Sequence, residues 1–201
     1  MPNEIKAVLK EKTQLTPDTW GLKFDMQGSP FEFQMGQFVI LKILLQEKNG
    51  FILLNNKKPL QYRSYSITSP ITKDDSIELI IKKTADGFVS HYFADNLDIG
   101  DEIEVMGPYG QFILPEKPFH DSHIFIAAGS GIAPYLCMMR SICTLKLPIK
   151  LHLIFSNKTE SDIIAKKEIE NACINNPLLS YDFTLTRPES LWSGHTGRIN
   201  T

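Results

Sequence analysis

The sequence has few cysteines, no long apolar run and no excess of one charge sign, and each absence narrows the possible functions. The three cysteines, Cys137, Cys143 and Cys173, lack the spacing of iron–sulfur ligands and are typical of reduced thiols in a cytoplasmic protein. The longest apolar run, residues 38–45, is too short to cross a bilayer. No secretory signal is expected, because a basic start followed by an apolar segment is missing. The net charge of -2 gives no reason to expect nucleic acid as a partner, and the five scattered histidines predict no metal site.

The first half of the chain has the pattern of a small β-barrel. Short apolar or alternating segments are separated by turn residues, and helical periodicity is absent up to residue 84. The predicted strands are residues 5–10, 19–24, 38–45, 62–68, 77–83 and 102–106. Turn signals stand at residues 16–18, 28–30 and 49–50. We therefore predict an antiparallel barrel over residues 1–116.

The second half changes character after the stiff polar link at residues 115–118. Buried-type strands are predicted at 123–128, 149–155 and 178–186, and helices at 135–145 and 161–172. A glycine-rich turn joins the first strand to the first helix, with Pro134 in the place of a third glycine. This alternation predicts half of a doubly wound nucleotide-binding fold over residues 117–201.

Residues 61–70 combine a cation, two aromatics and several hydroxyls in one extended segment. With period 2, Arg63 and Tyr65 share one face, while Ser64 and Ser66 share the other. A guanidinium can bind a phosphate while a phenol ring two residues away lies against a planar group. The alternative is a solvated strand edge with a tyrosine packed inward.

Residues 87–90, Gly-Phe-Val-Ser, predict a turn that leads into a short helix. The first amides of such a helix are a potential anion site. The alternative is a plain capped helix in which Ser90 forms a local hydrogen bond.

The order of these motifs along the chain resembles that of the ferredoxin–NADP reductase superfamily. The motifs are Arg63-Ser64-Tyr65-Ser66, residues 87–90, Gly107-Pro108-Tyr109-Gly110 and residues 128–134. Residues 153–163 are most similar to the NADH-using cytochrome-b5 reductase and bacterial flavin reductase-component branches, and residues 184–187 and 194–199 fit that branch too.

The resemblance implies a six-stranded Greek-key FAD-binding barrel followed by an NAD(P)-binding domain, and it implies roles for individual residues. Arg63, beside Ser64, would hold the flavin pyrophosphate, Tyr65 would lie on the flavin, and Ser66 would sit near flavin N5. Ser130 would bridge the two cofactors, so that Ser66, Tyr65 and Ser130 are the catalytic candidates. Further flavin contacts are implied for Ile80, Lys82, Gly87, Val89 and Ser90. Pyridine-nucleotide contacts are implied for Gly129, Ser130, Gly131 and Pro134.

The nucleotide preference follows from the residues after the second nucleotide-domain strand. Selection for a ribose phosphate needs cations there, and residues 156–159 offer Ser156, Asn157 and Thr159 with Lys158 as the one cation. This predicts NADH over NADPH, with Asn157 and Thr159 at the nucleotide. The alternative is that Asn157 and Thr159 cap the next helix. FAD rather than FMN is implied by the resemblance alone.

The expected function is hydride transfer from NADH to FAD and then single-electron transfer to a separate ferredoxin-, flavodoxin- or cytochrome-like protein. The alternative is a catalytically weak flavin-binding module. Family members continue beyond the segment that matches residues 197–199, so the nucleotide domain is expected to be incomplete and the residues that close the nicotinamide pocket match no position here. Strand 123–128 is therefore expected to leave Ile124, Phe125 and Ile126 on an open edge.

Overall fold

The computed structural model describes residues 3–44, 60–72, 74–114 and 122–199, which form two β-sheets and three α-helices. The strands of the first sheet are Asn3–Thr16 (β1), Thr19–Asp25 (β2), Phe38–Leu44 (β3), Leu60–Ser66 (β4), Ser76–Lys82 (β5) and Glu102–Tyr109 (β6). Those of the second are Ser122–Ala128 (β7), Lys150–Asn157 (β8), Leu179–Leu185 (β9) and His195–Thr196 (β10). The helices are Phe88–His91 (α1), Ala133–Thr144 (α2) and Lys166–Asn175 (α3). None of the helices in these ranges is long and apolar enough to span a membrane.

The first sheet is the predicted antiparallel barrel, with strand order β4-β3-β6-β1-β2-β5. It closes where β4 meets β5, through the bridge between Ile67 and Leu79 and the bond from the Thr68 amide to the Glu78 carbonyl at 2.8 Å. Alternation along β5 places Ile77, Leu79 and Ile81 in the barrel interior, so the residues between them face outward. The fold class predicted for this half is confirmed.

The second sheet is parallel, with order β10-β9-β8-β7, as the alternation of strands and helices predicts. Helices α2 and α3 pack on one face of it, over a core that includes Leu151, Leu153 and Phe155. The opposite face of β7 carries Ile124 and Ile126, which are 65% and 54% exposed. Within the described residues β7 pairs with β8 alone, so it is an edge strand.

Several details differ from the sequence-based prediction. Strand β1 runs to Thr16 rather than ending at residue 10. The helix predicted from residue 161 begins at Lys166, because a 3-10 turn at Glu160–Asp162 precedes it and Ala165 has a left-handed backbone with φ 56°. The strand β10 was not predicted. Phe125 lies on the edge strand with Ile124 and Ile126, as expected, but its ring is buried beside Tyr135 of α2, with 4.6 Å between the ring centroids. The predicted turn at 49–50 and the domain boundary at 115–118 lie outside the described residues.

Candidate functional site

Strand β4 presents Arg63 and its neighbours at the side of the barrel where the sheet is least closed. Along its length β4 is bonded to β3, and its contact with β5 comes only after Ser66. Arg63 and Ser64 are exposed, and Ser66 is half-buried. The Arg63 guanidinium donates from Nη1 to the Tyr62 carbonyl at 2.7 Å. Strand β4 is therefore an accessible part of the barrel surface, with Arg63 and Tyr65 on one face of the strand and Ser64 and Ser66 on the other.

Tyr65 is the aromatic member of this surface. Its ring meets the edge of Phe93, with centroids 5.8 Å apart, and Phe93 lies in the π-helical turn Tyr92–Asn96 that continues α1. Burial raises the pKa of the Tyr65 phenol to about 12, and the nearby Arg63 charge opposes the rise. The phenol is thus neutral at physiological pH, and its ring is a rigid, uncharged plane beside a cation.

Gly87 and Ser90 form a tight local structure at the start of α1. The Ser90 hydroxyl donates to the Gly87 carbonyl at 2.7 Å and accepts from the Thr84 amide at 3.2 Å. A Cβ at Gly87 would lie 2.0 Å from Thr84 Oγ1 and 2.4 Å from Ser90 Oγ. The local hydrogen bond considered as the alternative for Ser90 is therefore present. The Val89 side chain is buried in the barrel core, which leaves only its backbone to face a ligand.

Two residues on the outward face of β5 that are implied as flavin contacts, Ile80 and Lys82, have partners within the protein. Ile80 is 7% exposed and belongs to the core of the second domain, where Ile132 also lies. Lys82 forms an ion pair with Asp18 at 3.0 Å. Ile80 thus packs between the two domains, and Lys82 fastens β5 to the β1–β2 turn.

The glycine turn, Gly129–Ile132, follows β7 and leads directly into α2. Gly129 has φ +50°, and a Cβ at Gly129 or Gly131 would meet nothing within 4 Å. Ser130 is exposed, whereas Ile132 is fully buried and anchors the turn. Pro134 lies in the first turn of α2, where a missing amide costs nothing. The turn therefore presents bare backbone to open space, as close approach of a phosphate group requires.

Asn157 and Thr159 behave differently from each other at the end of β8. Thr159 takes part in a capping box with Asp162, as the alternative interpretation had it: its hydroxyl lies 2.8 Å and its amide 3.0 Å from the Asp162 carboxylate. Asn157 is 6% exposed, and neither its amide nitrogen nor its amide oxygen has a hydrogen-bond partner in the described part of the chain. A buried amide without partners is costly, so this side chain fits a role at a bound group.

The fold brings the β4 surface and the glycine turn to the same side of the barrel. The turn contacts β5, β7 and β8, and β5 is bonded to the segment that follows Ser66. The helix start at Gly87 lies beyond the far end of β5. The residues that were predicted separately thus form two neighbouring groups, one on each domain.

Sequence reasoning missed Arg140, whose guanidinium joins both domains. The signal was present in the helix itself, because Arg140 stands among buried neighbours, Leu136, Met139, Ser141 and Ile142. Gly36 stands two residues before β3, where the sequence favours entry to a strand with the backbone passing close to another element. The structure shows that a Cβ there would lie 2.1 Å from the Phe112 carbonyl oxygen and 2.5 Å from Met138 Cε of α2.

Two family models match the chain, the oxidoreductase FAD-binding domain over residues 6–113 and the oxidoreductase NAD-binding domain over residues 125–201. The chain belongs to the ferredoxin–NADP reductase superfamily of flavin- and pyridine-nucleotide-binding oxidoreductases. The resemblance inferred from the order of the motifs is thereby confirmed, as are FAD and NAD(P)H as the cofactors of its two domains.

Individual relatives agree with this assignment. NADH-cytochrome b5 reductase 1 of Dictyostelium discoideum is 31% identical over 97% of this chain and 65% of its own length. The ferredoxin reductase component of 3-ketosteroid-9-alpha-monooxygenase from Rhodococcus rhodochrous is 31% identical over 82% of this chain and 43% of its own length. The structure of the CS-b5R domains of human Ncb5or in the NAD+ form superposes with a TM-score of 0.80 and 25% identity, over 100% of this chain and 56% of that one. The chain thus spans about half to two thirds of the length of these proteins.

Proposed function

We propose that this protein takes a hydride from NADH onto bound FAD and passes single electrons to a separate protein acceptor. The observation that carries the proposal is the placement of the Arg63–Ser66 surface and the glycine turn on facing domains, with β5 between them. A flavin can accept two electrons as a hydride and release them one at a time, and this chemistry belongs to the cofactor. The chain's own residues bind, orient and shield it.

On the barrel, Arg63 binds the flavin pyrophosphate through its guanidinium, which the exposed position of its side chain permits. Tyr65 would supply an uncharged ring against the flavin, since a phenol is protonated at physiological pH and burial raises its pKa further. The Ser66 hydroxyl lies near the reactive edge of the flavin, and Ser64 adds a second hydroxyl. Backbone amides of residues 87–90 contribute to phosphate binding.

On the second domain, Gly129 and Gly131 allow backbone to approach the pyridine nucleotide, because nothing lies within 4 Å of where a Cβ would stand. Ser130 is exposed, and its hydroxyl would lie between the two bound cofactors. The Asn157 amide gains from the nucleotide the partners that it lacks in the protein. Thr159 acts indirectly, by holding the turn at Glu160–Asp162.

NADH is the expected donor because the turn after β8 offers little positive charge. Lys158 is exposed and the acidic Glu160 and Asp162 follow it closely. A 2′-phosphate on the ribose would meet these carboxylates at the same edge of the sheet. Reduction by NADH should therefore be faster than reduction by NADPH.

The acceptor is a small haem or iron–sulfur protein, and the support comes from the relatives: one is a cytochrome b5 reductase and another is a ferredoxin reductase component. A cytoplasmic location is part of this proposal, and it is supported by the three free cysteines.

The test is an anaerobic titration of the purified, FAD-loaded protein with NADH, followed by its visible absorbance. Loss of the oxidised flavin spectrum at one equivalent supports the proposal, and addition of cytochrome b5 or a ferredoxin should then restore it. A yellow protein that NADH does not bleach would identify a flavin-binding module without turnover. Faster bleaching by NADPH would contradict the nucleotide preference.

A further inference from the structure

Arg140 lies in the middle of α2, and its side chain is directed at the barrel rather than at the sheet of its own domain. The helix begins directly after the glycine turn, and most residues around Arg140 on it are buried. The Arg140 side chain itself is 22% exposed, which is low for a guanidinium on a helix. A cation in this position needs partners, and the structure supplies three.

The guanidinium joins three separate elements. Its Nη1 donates to the Thr68 carbonyl and to Glu78 Oε2, both at 2.9 Å, and these groups belong to the barrel. Its Nε and Nη2 donate to the two carboxylate oxygens of Glu168 on α3, at 2.5 and 2.8 Å. The Glu168 pair is bidentate, a geometry that fixes the plane of the guanidinium as well as its position. The charge pairs also hold the Arg140 pKa above its ordinary value against the opposing effect of burial.

The remaining contacts between the domains are mostly apolar or involve backbone. Ile80 of the barrel packs into the core of the second domain, and Gly36 abuts Met138. Further hydrogen bonds cross between the domains from the Ile71 amide to Ser141 Oγ at 2.9 Å and from the Gly36 amide to the Cys137 sulfur. Close packing of these apolar groups restricts part of the arrangement. The polar contacts add directional bonds that restrict the orientation of the domains further.

The barrel groups that Arg140 contacts are close to the flavin surface. Thr68 lies two residues after Ser66, and its amide is bonded to Glu78 of β5. At the other end of the same helix stands the glycine turn. One rigid helix therefore connects the β4–β5 junction to the turn that receives the nucleotide.

We propose that Arg140 is a positioning residue that fixes the orientation of the second domain against the barrel, and with it the alignment of the two cofactor-binding segments. This rests on the proposed function for the identity of the cofactors, but the orientation itself can be measured without turnover. Hydride transfer depends steeply on alignment, and a misplacement of about 1 Å can lower a rate about a hundredfold.

The test compares Arg140→Gln with Arg140→Lys and with the control Lys167→Gln, which removes an exposed cation from α3. The first readout is the protection of the Ile71 amide from hydrogen exchange, which its bond to Ser141 provides only while the domains are docked. The second is the rate of flavin reduction at saturating NADH, normalised to bound flavin. Arg140→Gln should lower both by about tenfold or more, Arg140→Lys should fall between, and Lys167→Gln should leave both unchanged.

The variants Glu78→Gln and Glu168→Gln distinguish a loss of domain orientation from a general loss of stability. Glu78→Gln weakens a bond that crosses the interface, so it should lower both readouts more than Glu168→Gln does, even at equal Tm. Unchanged Ile71 exchange in Arg140→Gln, or a normal reduction rate despite lost protection, would overturn the proposal. If Arg140→Gln does not fold, Arg140→Lys and Glu78→Gln decide the matter. If NADH fails to reduce the parent protein, the proposed function fails on its own, and Ile71 exchange alone then decides the role of Arg140.

Discussion

The two domains build their halves of the candidate site from different material. On the barrel the site consists of side chains, namely a guanidinium, a buried phenol and hydroxyls on β4. On the second domain it consists mainly of bare backbone at Gly129 and Gly131, together with one amide that lacks partners. Side-chain contacts suit a cofactor that stays bound, while backbone facing open space suits a nucleotide that must enter and leave. The difference assigns retention to the barrel and exchange to the second domain.

The two sheets also differ in how completely their faces are covered. The barrel closes on itself through Ile67 and Leu79, around a core of buried apolar side chains. In the second domain α2 and α3 cover one face of the sheet, and Ile124 and Ile126 of the edge strand remain exposed. Parallel sheets usually have both faces covered. Damage to the barrel should therefore unfold a self-contained unit, whereas changes in the second domain should first alter ligand binding.

The strongest test of this comparison replaces one glycine in each domain by alanine. Gly87→Ala forces a Cβ against Thr84 Oγ1 and Ser90 Oγ, and it should lower the free energy of unfolding by about 3 kcal/mol, the upper end for overpacking. Gly131→Ala adds a Cβ to open space, so it should leave stability unchanged and weaken NADH binding. Urea unfolding and nucleotide titration of both variants measure this, and equal stability losses would refute the contrast.

A comparison of alanine variants at Arg63 and Ser130 tests whether the barrel retains the flavin independently of the turn that binds the nucleotide. Arg63→Ala removes a charge-assisted phosphate contact and should weaken FAD binding about thirtyfold, whereas Ser130→Ala removes one hydroxyl that contacts no flavin phosphate. The measurement is the flavin content after extensive dialysis, together with FAD titration of the apoprotein. Equal flavin retention in the two variants would show that the pyrophosphate is not at Arg63.

Tyr65 makes barrel stability depend on alkaline pH. In the unfolded chain its phenol loses a proton near the ordinary value of 10.0, but in the folded protein only near 12. Its contribution is therefore fully present below pH 10 and is lost as the pH rises towards 12, about 2 kcal/mol in all. Tyr65→Phe should flatten this loss in unfolding curves between pH 9 and 12. The control Tyr62→Phe, an exposed ring on the same strand, should retain the slope of the parent.

Asn157→Leu should give the smallest change in stability. It should stabilise the protein while weakening the binding of NADH. Removing an amide that is buried without partners should raise the free energy of unfolding of the nucleotide-free protein by about 1 kcal/mol, or about 3 °C in Tm. NADH affinity should fall several-fold in the same variant. Ser156→Ala, on the neighbouring residue, serves as the control. A fall in Tm would mean that the amide has a partner in the folded protein.

The sequence predicted local features well because each depends on neighbours in the chain. Period 2 placed β4 and β5, and the glycine turn followed from Gly129 and Gly131 after a buried strand. The same alternation from Leu151 to Phe155 also placed Asn157 on the covered face, although that consequence was not drawn. The late start of α3 was missed because the left-handed backbone at Ala165 has no signature in an alanine.

Contacts between the domains were beyond sequence reasoning. Arg140 and Glu78 are 62 residues apart, and nothing local marks them as partners. Likewise the pattern of strand β7 could not show that Phe125 would pack against Tyr135 while Ile124 and Ile126 stayed exposed. Side chains within a strand follow the period, but which face is covered depends on elements elsewhere in the chain.

The contacts of Arg140 also carry an evolutionary consequence. Glu168 lies 28 residues after Arg140 and Glu78 lies 62 residues before it, yet the same guanidinium pairs with both carboxylates. A replacement of Arg140 alone leaves the half-buried Glu78 and the exposed Glu168 without their cation, and a replacement of either acid alone leaves the cation underpaired. Substitutions at these three positions are therefore expected to occur together in evolution. The barrel and the second domain have separate cores, but their sequences are expected to covary at this contact.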